Sequence, residues 1–524
     1  MRVSFDFCSR PAMRIAIDVD RAGVRRFHRL LRDWLARRRP DAEVSLNAVV
    51  GETPSVGVTL LLALERVTII GGRETLCDPL PVEDIGAPAS GPPDVVLDLS
   101  GRDEPAAGSA LALRPLYDGA PSEAAMIGAL IEARAPLIEI QNLATGQIVC
   151  AGAPSLEAAD GLTGAIEAVY SRLMILLRQA IEAPEKAAPR GPVEPRFGST
   201  GGLARLGART QIGQIARRLY HLCCHAPHWR IGWRIHDGPG VLTRGDLGGV
   251  RWSVLGDPGG RFFADPFPIE RAGRRYVFFE DFDHRRGKGV ISAVEFGRHG
   301  PVGEIFRVLE EPWHLSYPFL IEAEGELWMA PESSRSGRVT LYRCVDFPRR
   351  WERSAALLEG VEAADPTIFE HGGLFYMMSA VREDIGGFSD TLAIHCAPRL
   401  TGPWREIAAR PVLIDARAAR PAGAVTRSSG ALWRPVQDCE RGYGRALRLA
   451  RIDRLDPQGF AQTLGPPICS SAIWPGGRVH TLNRTGALEV IDGLSLNPKW
   501  ALRGLGGLWI SPSESARRDD VVSA

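Results

Sequence analysis

The sequence predicts two successive units, an N-terminal α/β domain with an open sheet and a C-terminal all-β five-bladed β-propeller. Three observations carry this reading. The first is a phrase repeated four times: FADPFPIERAGRRYVFFE at 263–280, LSYPFLIEAEGELWMAPE at 315–332, AADPTIFEHGGLFYMMSA at 363–380 and ARPAGAVTRSSGALWRPV at 419–436. Each copy has a polar residue at or beside a proline, an apolar strand, a Gly-containing turn and a second strand. Aligning Asp265, Tyr317, Asp365 and Arg420 gives steps of 52, 48 and 55 residues. Several short strands repeating at such a period mark a propeller, which aims one position of every blade at a central channel. The second observation is the alternation of strand and helix patterns over 13–183. The third is the Pro-, Gly- and charge-rich stretch APEKAAPRGPVEPRFGSTGG, which separates the two.

Taken in order, MRIAIDV at 13–19 reads as a buried strand, with Met13 a second candidate start. An amphipathic helix follows at 21–38, with Val24, Phe27, Leu30, Leu31 and Leu35 on one face. Strands are expected at 58–64, 66–70, 94–100 and 136–142, and helices at 122–133 and 155–182. The α/β domain thus covers 13–183, and a linker with an amphipathic helix at 203–224 covers 184–227. The propeller covers 228–510 and a disordered tail 511–524. A worn fifth unit lies at 469–493, and the strand-like HWRIGWRI at 228–235 is expected to close the ring, because open sheet edges are liabilities.

Net charge is +1, which gives no reason to invoke a nucleic acid. The nine scattered cysteines fit a reducing interior, and no signal peptide or apolar membrane span is apparent, so a cytoplasmic location is expected. HLCCHAPH at 221–228 lacks a second ligand pair, so it reads as a helix end; no metal or other cofactor is expected. The arginines of 203–224 beside Leu and Ile admit a peripheral membrane contact, although docking onto the propeller is the commoner use of such a helix.

The repeated phrase also carries the candidate chemistry. Proline suits the start of a strand and would hold Asp265 and Asp365 at the channel mouth. Glu280, Glu332 and Asp438 fall near the far end of the second strands. Carboxylates around one pocket suit glycoside chemistry, with one as proton donor and another as base or nucleophile. The expected catalytic set is Asp265, Asp365 and Glu332. Substrate contacts are expected from Tyr317, His314, Arg420, Gln437, Asp438, Tyr443 and His480. Trp313, Tyr317, Trp328, Tyr376 and Trp433 could stack on sugar faces, or pack between blades. Capping of turns by the acidic residues is the structural alternative.

The landmarks FADPF, LSYPF, PES, AADPTIF, RPAG, QDC and YG, in this order over 228–500, resemble the N-terminal five-bladed propeller of plant glucosamine inositolphosphorylceramide transferases and their bacterial relatives. In the plant proteins, transferase activity is attributed to a separate domain after the propeller, which has no counterpart in this sequence. The propeller is also similar to glycosidases of the arabinanase and invertase type. That likeness implies Asp265 as base, Asp365 as the orienting carboxylate and an acid Glu on a later blade. Arg420-Pro421-Ala422-Gly423 stands where that Glu belongs, leaving Glu332 or Asp438 for its role.

The order DVVLDLSG, LRPLYDGAPSEAAMIGALIEARAPLIEI, TGQIVCAG resembles formyltransferases, without the His of that family between 94 and 160 and with Asn142 as the only Asn there. It implies a formyltransferase-like fold kept as a binding or docking module. The expected function is that of a carbohydrate-active protein binding a sugar or sugar-phosphate in the channel, with glycoside hydrolysis or glycosyl transfer in glycoconjugate assembly. The alternatives are a non-catalytic recognition or scaffold module for a partner glycosyltransferase, and a formyltransferase-type enzyme.

Overall fold

The computed structural model describes residues 13–499, apart from 52–54, 87–90, 103–110, 189–194, 196, 198, 409, 472–473 and 475. The tail expected over 511–524 lies outside the described residues.

The N-terminal part is built on one six-stranded mixed sheet. Its strands are β1 (Met13–Asp20), β2 (Ala42–Val49), β3 (Val95–Leu99), β4 (Leu111–Tyr117), β5 (Ile138–Asn142) and β6 (Ile148–Gly152), in the order β2-β1-β3-β4-β5-β6. The first four in that order pair in parallel and the last two are antiparallel. β1 lies inside the sheet, with Ile15, Ile17 and Val19 fully buried on one face and Ala16 and Asp18 buried on the other. The edge strand β2 and the strands β4 and β6 escaped the sequence reading.

Helices α1 (Arg26–Arg38), α2 (Val56–Thr68), α3 (Glu123–Ile131), α4 (Gly161–Glu182) and α5 (Thr200–Cys223) accompany this sheet. Two expectations fail here. The strands expected at 58–64 and 66–70 are the single helix α2. Its Leu- and Ala-rich run favours helix, and a short apolar stretch does not reveal its period. Helix α4 starts at 161 rather than 155, where the buried Glu65 carboxylate accepts from the N–H groups of Leu162 and Thr163, both at 2.8 Å. An acidic group at the positive end of a helix fixes its first turn. The α/β expectation therefore reduces to a mixed sheet with few helices. Asn142, the one Asn considered in the formyltransferase likeness, turns its Oδ1 onto the N–H of Ala144 and so caps a hairpin turn.

Five further sheets form the propeller. Blade 1 runs from the inner strand Arg261–Arg271 to Gly300–Leu309, and blade 2 from Ser316–Ala323 to Arg350–Glu359. Blade 3 begins with Ala363–His371 and blade 4 with Thr426–Ser428. Blade 5 takes only its two inner strands, Leu482–Thr485 and Leu488–Leu494, from the end of the chain. Its third strand is β7 (Trp229–Ile235), paired antiparallel from Leu488↔Ile235 to Leu494↔Trp229. The ring is thus closed by a strand made before the first blade.

The N-terminal sheet docks on blades 3 and 4. Ala153 donates to the Ile414 carbonyl and accepts from Ala416, both at 2.9 Å, and Arg172 binds Asp390 in a buried ion pair, with Nε 2.9 Å from Oδ2. Helix α5 does not dock on the propeller by its face, as expected from sequence. Among its described residues only Leu203 and Gly207 are buried, and both pack against α2.

Candidate functional site

The repeated X-Pro phrase is a β-bulge. Asp265-Pro266, Tyr317-Pro318 and Asp365-Pro366 each fall where the pairing with the second strand shifts register, so two residues oppose one. The first residue of each pair is left-handed, with φ of +51°, +43° and +53°. Such a conformation costs a non-glycine residue about 1–3 kcal/mol. It persists because a bulge re-aims a side chain and frees a backbone N–H toward the axis. The proline therefore does not begin the strand; it completes the bulge.

Those N–H groups are taken up by carboxylates of neighbouring blades. Asp492 Oδ2 accepts from Asp265 N at 2.9 Å, Asp265 Oδ2 from Tyr317 N at 3.2 Å, and Glu332 Oε2 from Asp365 N at 3.3 Å. In blade 4 the Gly423 N–H instead bonds the Tyr317 hydroxyl at 2.7 Å. Side chains of the same residues complete two ionic groups. In the first, His480 lies between Asp265 (Nε2 to Oδ1, 3.2 Å) and Asp492 (Nδ1 to Oδ1, 2.8 Å), and the Thr481 hydroxyl bonds Asp265 at 2.9 Å. In the second, Arg420 Nε donates to Asp365 Oδ2 at 2.6 Å, with Glu332 at 4.0 Å and the Tyr443 ring 4.7 Å beneath its guanidinium. Gln437 adds a bond to the same Asp365 oxygen at 3.2 Å.

Five carboxyl groups here (Asp265, Glu280, Glu332, Asp365 and Asp492) meet two cations, so the groups cannot all ionise at ordinary cost. Burial opposes the charge on His480, but Asp492 and Asp265 overcome it and push the imidazole up to about 10. Burial likewise opposes ionisation of Asp265, yet the imidazolium holds it below the usual carboxylate range. Burial, with Glu332 and Asp265 nearby and only Arg420 opposing, pushes Asp365 up to about 8. Burial and the Asp265 charge raise Glu280 well above its ordinary value. His314 approaches Glu280 at 3.5 Å and is lowered by burial to about 4, its Nδ1 accepting from Gly289 N.

Asp265, His480 and Asp492 present ligand atoms within 4.8 Å of one another, the geometry of a cation site. The two carboxylates favour a proton on His480, which a cation bound at this position would have to displace.

Of the expected residues, Asp265, Asp365, Glu332, Arg420, Gln437, His480, Tyr443 and His314 share this axial region. His314, Glu332 and Tyr443 are partly exposed, whereas Arg420 is buried between them. Two expected substrate contacts fall elsewhere in role. Tyr317 is wholly buried, its hydroxyl spent on Thr367 and Gly423. Asp438 binds Arg448 at 2.7 Å, since alternation along its strand turns it from the neighbouring Gln437. His480 and Gln437 are buried and serve the carboxylates. Trp328 and Tyr376 pack in the blades, Trp433 lies half-buried against the apolar core of blades 4 and 5, and Trp313 lies beside Arg353.

The sequence reading missed Asp492 and Thr481, which stand in the worn fifth unit, and Glu157, which comes from the N-terminal part. Glu157 hydrogen-bonds Ser389, and Ser155 bonds the Cys439 carbonyl at 3.0 Å. Burial raises the Glu157 carboxyl against the pull of Arg420. No motif could reveal it, because docking brings it there.

Residues 252–489 match the family described as glucosamine inositolphosphorylceramide transferase 1, N-terminal. The glucosamine inositolphosphorylceramide transferase 1 of Arabidopsis thaliana is 29% identical over 257 residues, 47% of this chain and 33% of that protein. That of Oryza sativa subsp. indica is 29% identical over 247 residues, 44% and 33%. The chain thus spans about a third of the length of these curated relatives. Similar solved structures include the exo-β-1,3-galactanase 1,3Gal43A of Clostridium thermocellum (10% identity, 41% of this chain and 52% of that one, TM-score 0.31). Another is Zg3597, a family 117 glycoside hydrolase of Zobellia galactanivorans (12%, 55% and 97%, TM-score 0.33).

Proposed function

We propose that this is a carbohydrate-active protein whose axial pocket recognises a sugar or sugar-phosphate in glycoconjugate assembly. The observation that carries the reading is the cluster of partly exposed Tyr443, Glu332 and His314 around the buried Arg420, next to the other carboxylates of the axis. Arg420 offers planar donors to a phosphate or carboxylate, Tyr443 an aromatic face, and Glu332 and His314 polar atoms for hydroxyls. The match to the N-terminal region of a glycosyltransferase family supports the substrate class, and a partner glycosyltransferase fits this reading. Asp265 favours recognition over turnover, because both its oxygens are already spent within the ring.

Hydrolysis or transfer is the second reading. The observation favouring it is a divergence of acidities: His480 holds Asp265 below the usual carboxylate range, while burial raises Glu280 and Asp365 above it. Such divergence is how one site keeps an acid and a base together. Here Asp265 would be base or nucleophile and Asp365 the orienting group, and the raised Glu280 is better suited than Glu332 to the proton donor's role.

The test is calorimetric titration of the whole chain with a panel of sugar-phosphates and nucleotide sugars. Arg420→Gln is expected to weaken the binding ligand about tenfold or more, and unchanged affinity would refute the recognition site. Turnover of a bound ligand that Asp265→Asn abolishes would decide for the second reading.

A further inference from the structure

Helices α2 and α5 run side by side in the same direction. Two glycines permit close approach: a Cβ at Gly57 would meet Leu203 Cδ1 at 3.1 Å, and one at Gly207 would meet Leu61 Cδ1 at 3.1 Å. Gln211 Nε2 ties the pair by donating to Thr68 Oγ1 at 2.7 Å. Their outer faces are apolar. Val56, Leu60, Leu64 and Val67 of α2 are 49–77% exposed, and Ile212, Ile215, Leu219 and Leu222 of α5 are 55–71% exposed. The spacings of three and four residues put each set on one face of its helix. Eight large exposed aliphatic side chains on one helix pair form a surface that no other described residue covers, where single exposed ones would need no explanation.

The exposed charges carried by the two helices are of one sign. Helix α5 carries Arg205, Arg209, Arg217 and Arg218 and no acidic residue. Arg205, Arg209 and Arg218 make no ion pair among the described residues, while Arg217 meets Asp160 at 2.7 Å. The one acid of α2, Glu65, is buried at the start of α4, leaving Arg66, 3.4 Å from Asp78, as that helix's exposed charge. An aliphatic face rimmed by arginines complements an anionic lipid surface, into which the aliphatic groups sink while the guanidinium groups reach the headgroups. A second copy is a poor occupant, because a two-fold interface would set the arginine rims against each other. No described helix is long and apolar enough to cross a membrane, so the contact is one of lying on the surface.

We propose that the α2–α5 face docks the protein on an anionic lipid bilayer. This does not rest on the reading of the axial pocket. The experiment is flotation of the full chain with vesicles of phosphatidylcholine containing about one-third phosphatidylglycerol, at low and high salt. The wild type is expected to float with these vesicles, and less so at high salt. The triple variant Arg205→Gln, Arg209→Gln, Arg218→Gln should lower the partition coefficient roughly 100-fold, from about a factor of five per arginine. The double variant Ile215→Glu, Leu219→Glu should abolish flotation, with circular dichroism unchanged because all five positions are at the surface. Failure of the wild type to float, or variants that float equally, would overturn the proposal. So would a wild-type dimer in light scattering that Leu219→Glu dissociates, since the face would then belong to a second copy.

Discussion

His480 ties the first blade to the last through a single proton, and its replacement by glutamine isolates that proton's contribution. The imidazole is buried, lies 3.2 Å from Asp265 and 2.8 Å from Asp492, and is raised from its ordinary 6.5 to about 10. A group raised on folding keeps its proton in the folded chain after the unfolded chain has lost it. Its stabilisation is therefore complete below pH 6.5 and disappears as pH climbs through 10. At about 1.4 kcal/mol per pH unit, the window spans roughly 4–5 kcal/mol. Asp365 and Glu280 are raised too and add their own decline, Asp365 chiefly between pH 4 and 8. The assay is urea denaturation at pH 6, 8 and 9.5, followed by tryptophan emission. Trp229 is a local reporter, its ring 4.1 Å from the imidazole. The wild-type midpoint should fall steadily with pH, whereas His480→Gln should be weaker at pH 6 and nearly flat from pH 8 to 9.5. Parallel pH profiles for the two proteins would refute the charged-histidine bridge.

Three further outcomes are expected. Gly423→Ala should destabilise by about 2–4 kcal/mol in chemical denaturation, because its φ is +138° and a Cβ would lie 2.1 Å from the Leu482 carbonyl oxygen. Tyr317→Phe should cost about 1–3 kcal/mol by stranding the Gly423 N–H, while leaving ligand affinity in calorimetry unaltered because the ring is wholly buried. Arg172→Met should cost about 3–5 kcal/mol by leaving Asp390 buried without its cation. Scanning calorimetry should then resolve separate melting of the N-terminal sheet and the propeller.

The propeller was legible because its repeated phrase is one physical object, a bulged inner strand, a turn and its partner, that must recur for each blade to reach the axis. What the phrase conceals is which way the bulge turns each side chain. Tyr317 has the composition of a sugar platform and the geometry of a bolt between blades. Asp492 was hidden because blade 5 receives its charge from the second strand, opposite a β7 residue, and not from an Asp-Pro bulge. Glu157 was invisible for a different reason: its neighbours Ser389 and Cys439 lie more than 200 residues away and only docking brings them together. Helix α2 was misread because a short aliphatic run hides its period: Val58 and Leu61 face the core while Leu60 and Leu64 face outward.

Closure by β7 has a consequence for how the toroid comes into being. Blades 1 to 4 can each pair as they leave the ribosome, but β7 must wait for residues 488–494, synthesised some 250 residues later. Until then its apolar edge, with Trp229 and Ile231, has no partner. A nonsense codon between residues 465 and 488 therefore removes far more than a fifth of the structure: it leaves an uncircled arc with two raw edges, tethered to an N-terminal sheet that already grips its third and fourth blades.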